Sequence, residues 1–190
     1  LLSGRNFEAR TYEKVIIEDS FLKLREGMHA FMNETSFKRF LMIIRSAGFR
    51  KPSMIRSSNA LNFAYMLYLL LSKEGRQPED IESLVKRWFV MSILTSRATG
   101  SFESQFDRDI KQIEARGVDA VLAEIEEGQL GEGFWNVVLP QNMDRASSSS
   151  PFLMVFLAAQ SNLNCRGFLS KDIAITDLLE QRGDLHHLFP

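Results

Sequence analysis

The sequence predicts an all-α protein, a compact multi-helix bundle with the beginning of a separate α+β element at its C-terminus. Three observations predict it. Apolar residues recur at i, i+3, i+4 and i+7 through most of the chain, while strand-like alternation is scarce. Prolines and glycines fall at the edges of the periodic segments rather than inside them. The final run, Gly183-Asp184-Leu185-His186-His187-Leu188-Phe189-Pro190, departs from the pattern and reads as extended chain. The boundary is therefore drawn between a helical domain at 1–182 and the start of a second element at 183–190.

The helices follow in order. Ser36 can cap a helix whose face carries Phe37, Phe40, Leu41 and Ile44, and Gly48 ends it. Asn59 opens another, with Leu61, Tyr65, Tyr68 and Leu69 on one side and Gly75 at its close. Pro78 suits a first helical turn, and Glu79 and Asp80 suit the positive end of a helix dipole. Ile81, Leu84, Val85 and Trp88 continue that helix toward Leu94. Ser101 begins a helix bearing Phe102, Phe106, Ile110 and Ile113. Gly117 separates it from a shorter one through Val121, Leu122 and Ile125. Gly128, Gly131 and Gly133 predict a loop or short turn. The serine tract Ser147 to Ser150 leads into Pro151 and a helix apolar nearly all round, from Phe152 to Leu157, which predicts a central position. A short segment with Ile173, Ile175 and Leu178 follows Gly167. No internal repeat and no heptad pattern stands out. Trp88 and Trp135 read as core anchors.

Composition narrows the function classes. A hydrophobic fraction of 45% and a charged fraction of 25% over 190 residues are ordinary for a globular chain. The formal net charge of -1 gives no global positive field, so any DNA contact has to rest on a local patch. The single cysteine, Cys165, allows no internal disulfide and reads as a small residue near a helix end. Leu1 to Asn6 lacks the apolar core of a signal peptide, and the run Phe152 to Ala159 is too short to cross a bilayer. The expectation is a cytoplasmic protein without a membrane partner. No Gly-rich phosphate loop, Cys/His zinc spacing or serine nucleophile motif is present.

The chemistry concentrates in Asp184, His186 and His187. Cutting a phosphodiester with water needs a divalent metal on the scissile phosphate and a base for the attacking water. A neutral imidazole can take that proton, and a carboxylate or second imidazole can hold the metal. Adjacent side chains on a strand point to opposite faces, so two neighbouring histidines share one site only where the strand bends. Pro190 fits such an exit from ladder pairing.

The run Gly183 to Pro190 resembles the opening motif of the HNH (ββα-metal) nuclease domain of GmrSD-type modification-dependent restriction proteins. Leu84 to Phe89, Ser96 to Ser104 and Phe106 to Ile110 are similar to that family's helical region: a Trp helix, an Arg-containing loop, then a helix with an Arg-Asp pair. Ala98 and Thr99 depart from it, where an aromatic often follows the arginine. The resemblance covers most of Asn59 to Pro190, loosely over the helices and closely at the end. It implies His187 as general base, His186 as a metal ligand and Asp184 as a supporting ligand, with Mg²⁺ or another divalent metal bound in the full-length protein and none in this stretch alone. It also implies a nucleotide-binding domain before Leu1, and the remaining strand and helix of the nuclease after Pro190. On this reading the chain is the helical scaffold of a restriction endonuclease acting on foreign or modified DNA, inactive by itself. The alternative is a non-catalytic interaction or oligomerisation module, with a homodimer as one outcome.

Other basic residues carry two readings each. Arg97 and Arg108 could contact phosphate, since an arginine fork matches it. The plainer reading of Arg97, Arg108 and Asp109 is a structural ion pair that locks the Ser96–Gly100 loop onto the next helix. Asp107 and Asp109 point to different helix faces and make a poor metal pair. Arg45, Arg50, Lys51 and Arg56 gather at one corner beside Phe49, as a DNA-backbone patch or a solvated loop. Lys86 with Arg87 is a weaker patch, and His29 reads as a satisfied histidine rather than a ligand.

Overall fold

The computed structural model describes residues 5–6, 11–12, 14–167 and 172–180, with side chains from residue 18 onward. The described residues are helical almost throughout, as the periodicity predicts. The chain divides into two compact units, Leu1–Arg39 and Phe40–Pro190.

In the first unit, β1 (Arg5–Asn6) and β2 (Thr11–Tyr12) form a two-residue antiparallel pair. Helix α1 (Lys14–Phe31) follows, and α2 (Glu34–Ser46) begins after a turn at Met32 and Asn33. The cap of α2 is Asn33, whose Oδ1 accepts from the backbone N–H of Ser36 at 2.9 Å, so Ser36 sits inside the helix it was expected to start. The division between the units falls within α2.

The second unit continues with α3 (Ser58–Lys73), α4 (Pro78–Leu94), α5 (Phe102–Arg116), α6 (Val118–Gln129), α7 (Leu139–Asp144), α8 (Pro151–Asn162) and α9 (Ile175–Glu180). A 3-10 turn, Pro52–Met54, leads into α3, where the Ser57 hydroxyl accepts from Ala60 N–H at 3.2 Å. The hub is α4, which packs on α3, α6 and α8. Its residues Ile81, Leu84, Val85, Trp88 and Leu94 are all buried. The indole of Trp88 stacks on Phe63 of α3 at 5.1 Å, and Phe63 in turn meets Phe106 of α5 at 4.5 Å. Burial of such large aromatic surfaces, each worth about 2–3 kcal/mol, is what a helix with this stripe gains from its neighbours.

Gly48 shows why one glycine cannot be replaced. Its φ is +98°, and an added Cβ would lie 2.0 Å from the carbonyl oxygen of Ala158. The turn after α2 therefore touches the backbone of α8 directly.

Three sequence expectations are corrected here. The buried face of α2 in the second unit is Phe40, Ile43 and Ile44, while Leu41 stays exposed, as does Phe37 in the first. The loop expected at Gly128 to Gly133 is mostly helical: α6 runs to Gln129, and a helical segment resumes at Glu132. That segment contains a π turn, Phe134–Val138, directly before α7. Pro140 cannot donate to the carbonyl one turn back, and the wide turn before it absorbs the missing bond. Trp135 lies in that turn, 48% exposed and edge-on to Phe134 at 5.1 Å, so it is not a core anchor. The strand expected at 183–190 lies outside the described residues.

Candidate functional site

His187, His186 and Asp184 fall in residues 181–190, outside the described residues. What the structure describes is the last helix before them, α9, and the basic residues singled out from the sequence.

Ile175 and Leu179 of α9 are buried in the core, which fixes the helix although it has only six residues. Ahead of it, Arg166 and Ala174 form an isolated antiparallel bridge. On its outer side Glu180 accepts from Arg45 Nη2 at 2.7 Å. On its inner side the Thr176 and Ser161 hydroxyls lie 3.0 Å apart, and Arg50 Nε donates to Ser161 Oγ at 3.1 Å. Two arginines of the expected DNA corner are thus engaged, Arg45 of α2 with α9 and Arg50 with α8. These contacts join residues more than a hundred positions apart, which no local sequence pattern encodes.

The Arg97 fork is closed on a carboxylate. Its Nε donates to Asp109 Oδ2 at 2.8 Å and its Nη2 to Oδ1 at 2.6 Å. Gln105 Nε2 adds a third bond to Oδ1 at 2.8 Å. The side chains of Arg97 and Asp109 are 9% and 1% exposed. Bidentate geometry away from water is the strong form of this interaction, and it leaves Arg97 no fork to offer a phosphate. Asp107, two residues earlier, faces outward onto Lys111 at 2.6 Å. The clamp fixes the loop between α4 and α5, where Ser96 adopts a left-handed φ of +53°.

A cavity of about 100 Å³ opens between that loop, the start of α3 and Pro151 at the start of α8. Met54, Ala60 and Ala98 line it, with Arg56, Ser57 and Thr99 among its polar residues. Its size is below the roughly 150 Å³ that accommodates a benzene ring, so a nucleotide does not fit. Of the lining hydroxyls, Ser57 accepts from Ala60 N–H, and Ser92 and Thr99 donate to Trp88 O at 2.7 Å and Ser96 O at 2.6 Å.

The remaining basic candidates are Lys51, half-buried, and Arg56 and Arg108, both exposed. None of the three enters an ion pair among the described residues. Lys86 and Arg87 do. Lys86 and the Ser46 hydroxyl converge on Glu82 and hold its carboxyl below the usual carboxylate range, Lys86 contributing most. Arg87 grips Glu126 of α6 through two bonds, which raises its guanidinium pKa further.

Among the described residues, no three His, Cys, Asp or Glu side chains converge as a metal site, and no helix is long and apolar enough to cross a membrane. The described site can fix backbone and present positive charge. Comparison with family models, with curated proteins and with solved structures gives no match for this chain.

Proposed function

We propose that this chain is the helical scaffold of a DNA restriction endonuclease that hydrolyses phosphodiester bonds of foreign or modified DNA at a metal-dependent HNH-type site. The observation that carries the reading is the Gly183 to Pro190 run, with Asp, His-His and Pro in the order of that motif. The anchoring of α9 supports it, because a site works only when its residues extend from a rigid root. In this reading His187 takes the proton from the attacking water, while His186 and Asp184 would hold the metal. A divalent cation, when bound, offsets charge on the scissile phosphate and the leaving oxygen. Lys51, Arg56 and Arg108 contact DNA phosphates; Arg97 does not, since Asp109 occupies its fork. A nucleotide-binding domain of the same protein would act with this scaffold.

In the full-length protein, His187→Ala abolishes Mg²⁺-dependent cleavage while circular dichroism and melting temperature stay unchanged. Cleavage that survives the substitution refutes the assignment. In a gel shift, replacing Lys51 and Arg56 by alanine flattens the salt dependence by about 1.8 log units per log unit of salt, at roughly 0.9 per phosphate contact.

A second reading, an oligomerisation module, is favoured by one observation. Helix α1 exposes Phe21, Leu24, Met28 and Phe31 along a single side.

A further inference from the structure

We propose that α1 pairs antiparallel with α1 of a second copy of this chain, in a register that sets Glu18 beside the partner's Arg25. The inference rests on the oligomerisation reading and is independent of the nuclease one.

Phe21, Leu24, Met28 and Phe31 are spaced three, four and three residues apart, the repeat of a coiled-coil seam. Each keeps more than a third of its surface exposed, with Phe21 at 53% and Met28 at 52%. The run spans too few heptads to be read as a repeat from sequence, which needs three or four. Leu24, Gly27, Met28 and Phe31 border a groove in this helix, and they stand at the four corners of a knob-into-hole site. Gly27 leaves that hole open: a Cβ added there meets nothing within 4 Å.

The charges select the partner and its direction. Asp19 and Lys23 pair with each other at 2.7 Å on the outer side of the helix. Glu18 and Arg25 flank the seam at equivalent heptad positions and enter no ion pair among the described residues. In a parallel pair they lie about 10 Å apart along the axis, at 1.5 Å per residue, and cannot meet. In an antiparallel pair with Phe21 opposite the partner's Leu24, Glu18 faces the partner's Arg25, and two-fold symmetry repeats the contact. A shift of one heptad would instead oppose the two Arg25 side chains. The flanks carry both signs, so the helix has no basic polar face to attract an anionic lipid surface.

Sedimentation and light scattering on the whole chain test this. The wild type dimerises with rising concentration, and Met28→Asp keeps it monomeric. Glu18→Arg or Arg25→Glu alone weakens the dimer by roughly tenfold, because two pairs turn repulsive at once. Mixing the two single variants restores association as a heterodimer, and the double variant restores the homodimer. All three sites are exposed, and unchanged circular dichroism confirms folding. A wild-type chain that stays monomeric, including one that binds anionic vesicles, overturns both this proposal and the oligomerisation reading. A dimer indifferent to the single reversals overturns the register alone. Neither outcome touches the nuclease reading, because no measurement involves cleavage.

Discussion

Removing one partner of the Arg97–Asp109 clamp gives the sharpest test of how the second unit holds together. Asp109 is fully buried and its carboxylate receives three N–H donors, two from Arg97 and one from Gln105. Arg97→Met leaves that carboxylate out of water with Gln105 alone. Breaking a buried pair in this way costs about 3–5 kcal/mol, and the upper half of that range applies because Asp109 has no route to solvent. Asp109→Leu costs less, about 3 kcal/mol, because the Arg97 side chain retains a little exposure and can hydrate. The double variant, Arg97→Met with Asp109→Leu, replaces the ions with apolar groups of similar bulk and loses about 1 kcal/mol or less. The coupling is therefore strongly non-additive. Urea unfolding followed by circular dichroism measures it, and for a unit of this size the Arg97→Met loss corresponds to a drop of about 8–20 °C in melting temperature. Single variants that each lose under about 1 kcal/mol, or a double variant that loses their sum, refute the account of the clamp as a desolvated pair.

Three further outcomes follow from particular contacts. Ser96→Gly relieves a left-handed backbone and raises stability by about 0.5 kcal/mol, the strain less the added chain entropy, seen as a higher urea midpoint. An unchanged or lower midpoint counts against strain at that loop. Gly48→Ala drives a Cβ into the Ala158 carbonyl and costs about 3 kcal/mol or more, read as a lower melting temperature; a wild-type melting curve shows the turn is free to move. Glu82 has a folded pKa below its ordinary value of 4.5, so its contribution is complete above that value and is lost as pH falls through the lowered one. Its side chain is nearly half exposed, which keeps the effect to about 0.5 kcal/mol or less. Glu82→Gln removes that part of the acid slope in urea midpoints taken between pH 5 and 3, and an unchanged slope refutes the assignment.

How much of this was legible in the sequence depends on whether the signal was local. Helix α4 was readable because Pro78, Glu79 and Asp80 mark its start, and its apolar residues fall in one stripe between polar ones. Helix α2 was not, because Phe40 to Ile44 is an unbroken apolar run that suits several faces equally. Packing against Tyr65 and Tyr68 chose among them, with Phe40 at 5.1 and 6.1 Å from those rings. The three glycines from the end of α6 onward misled for a related reason. Glycine permits a break but does not require one, and Gly128 lies inside α6 while Gly133 lies inside the next helical segment. Trp135 then reads as core by residue type, yet it sits in the π turn on which Pro140 depends. The candidate site divides in the same way. The pairing of Arg97 with Asp109 spans twelve residues and could be suggested from a loop and the helix after it. The commitment of Arg45 to Glu180 spans 135 and could not. A cluster of basic residues in a sequence is thus an upper bound on a DNA patch, from which each arginine that closes on a distant carboxylate or hydroxyl must be subtracted. Arg97 is subtracted in full, its fork closed on a buried carboxylate, and Arg45 and Arg50 in part, since the first pairs at an exposed site and the second gives up Nε alone; in the proposed reading Lys51, Arg56 and Arg108 are the side chains on which salt-dependent binding would chiefly act.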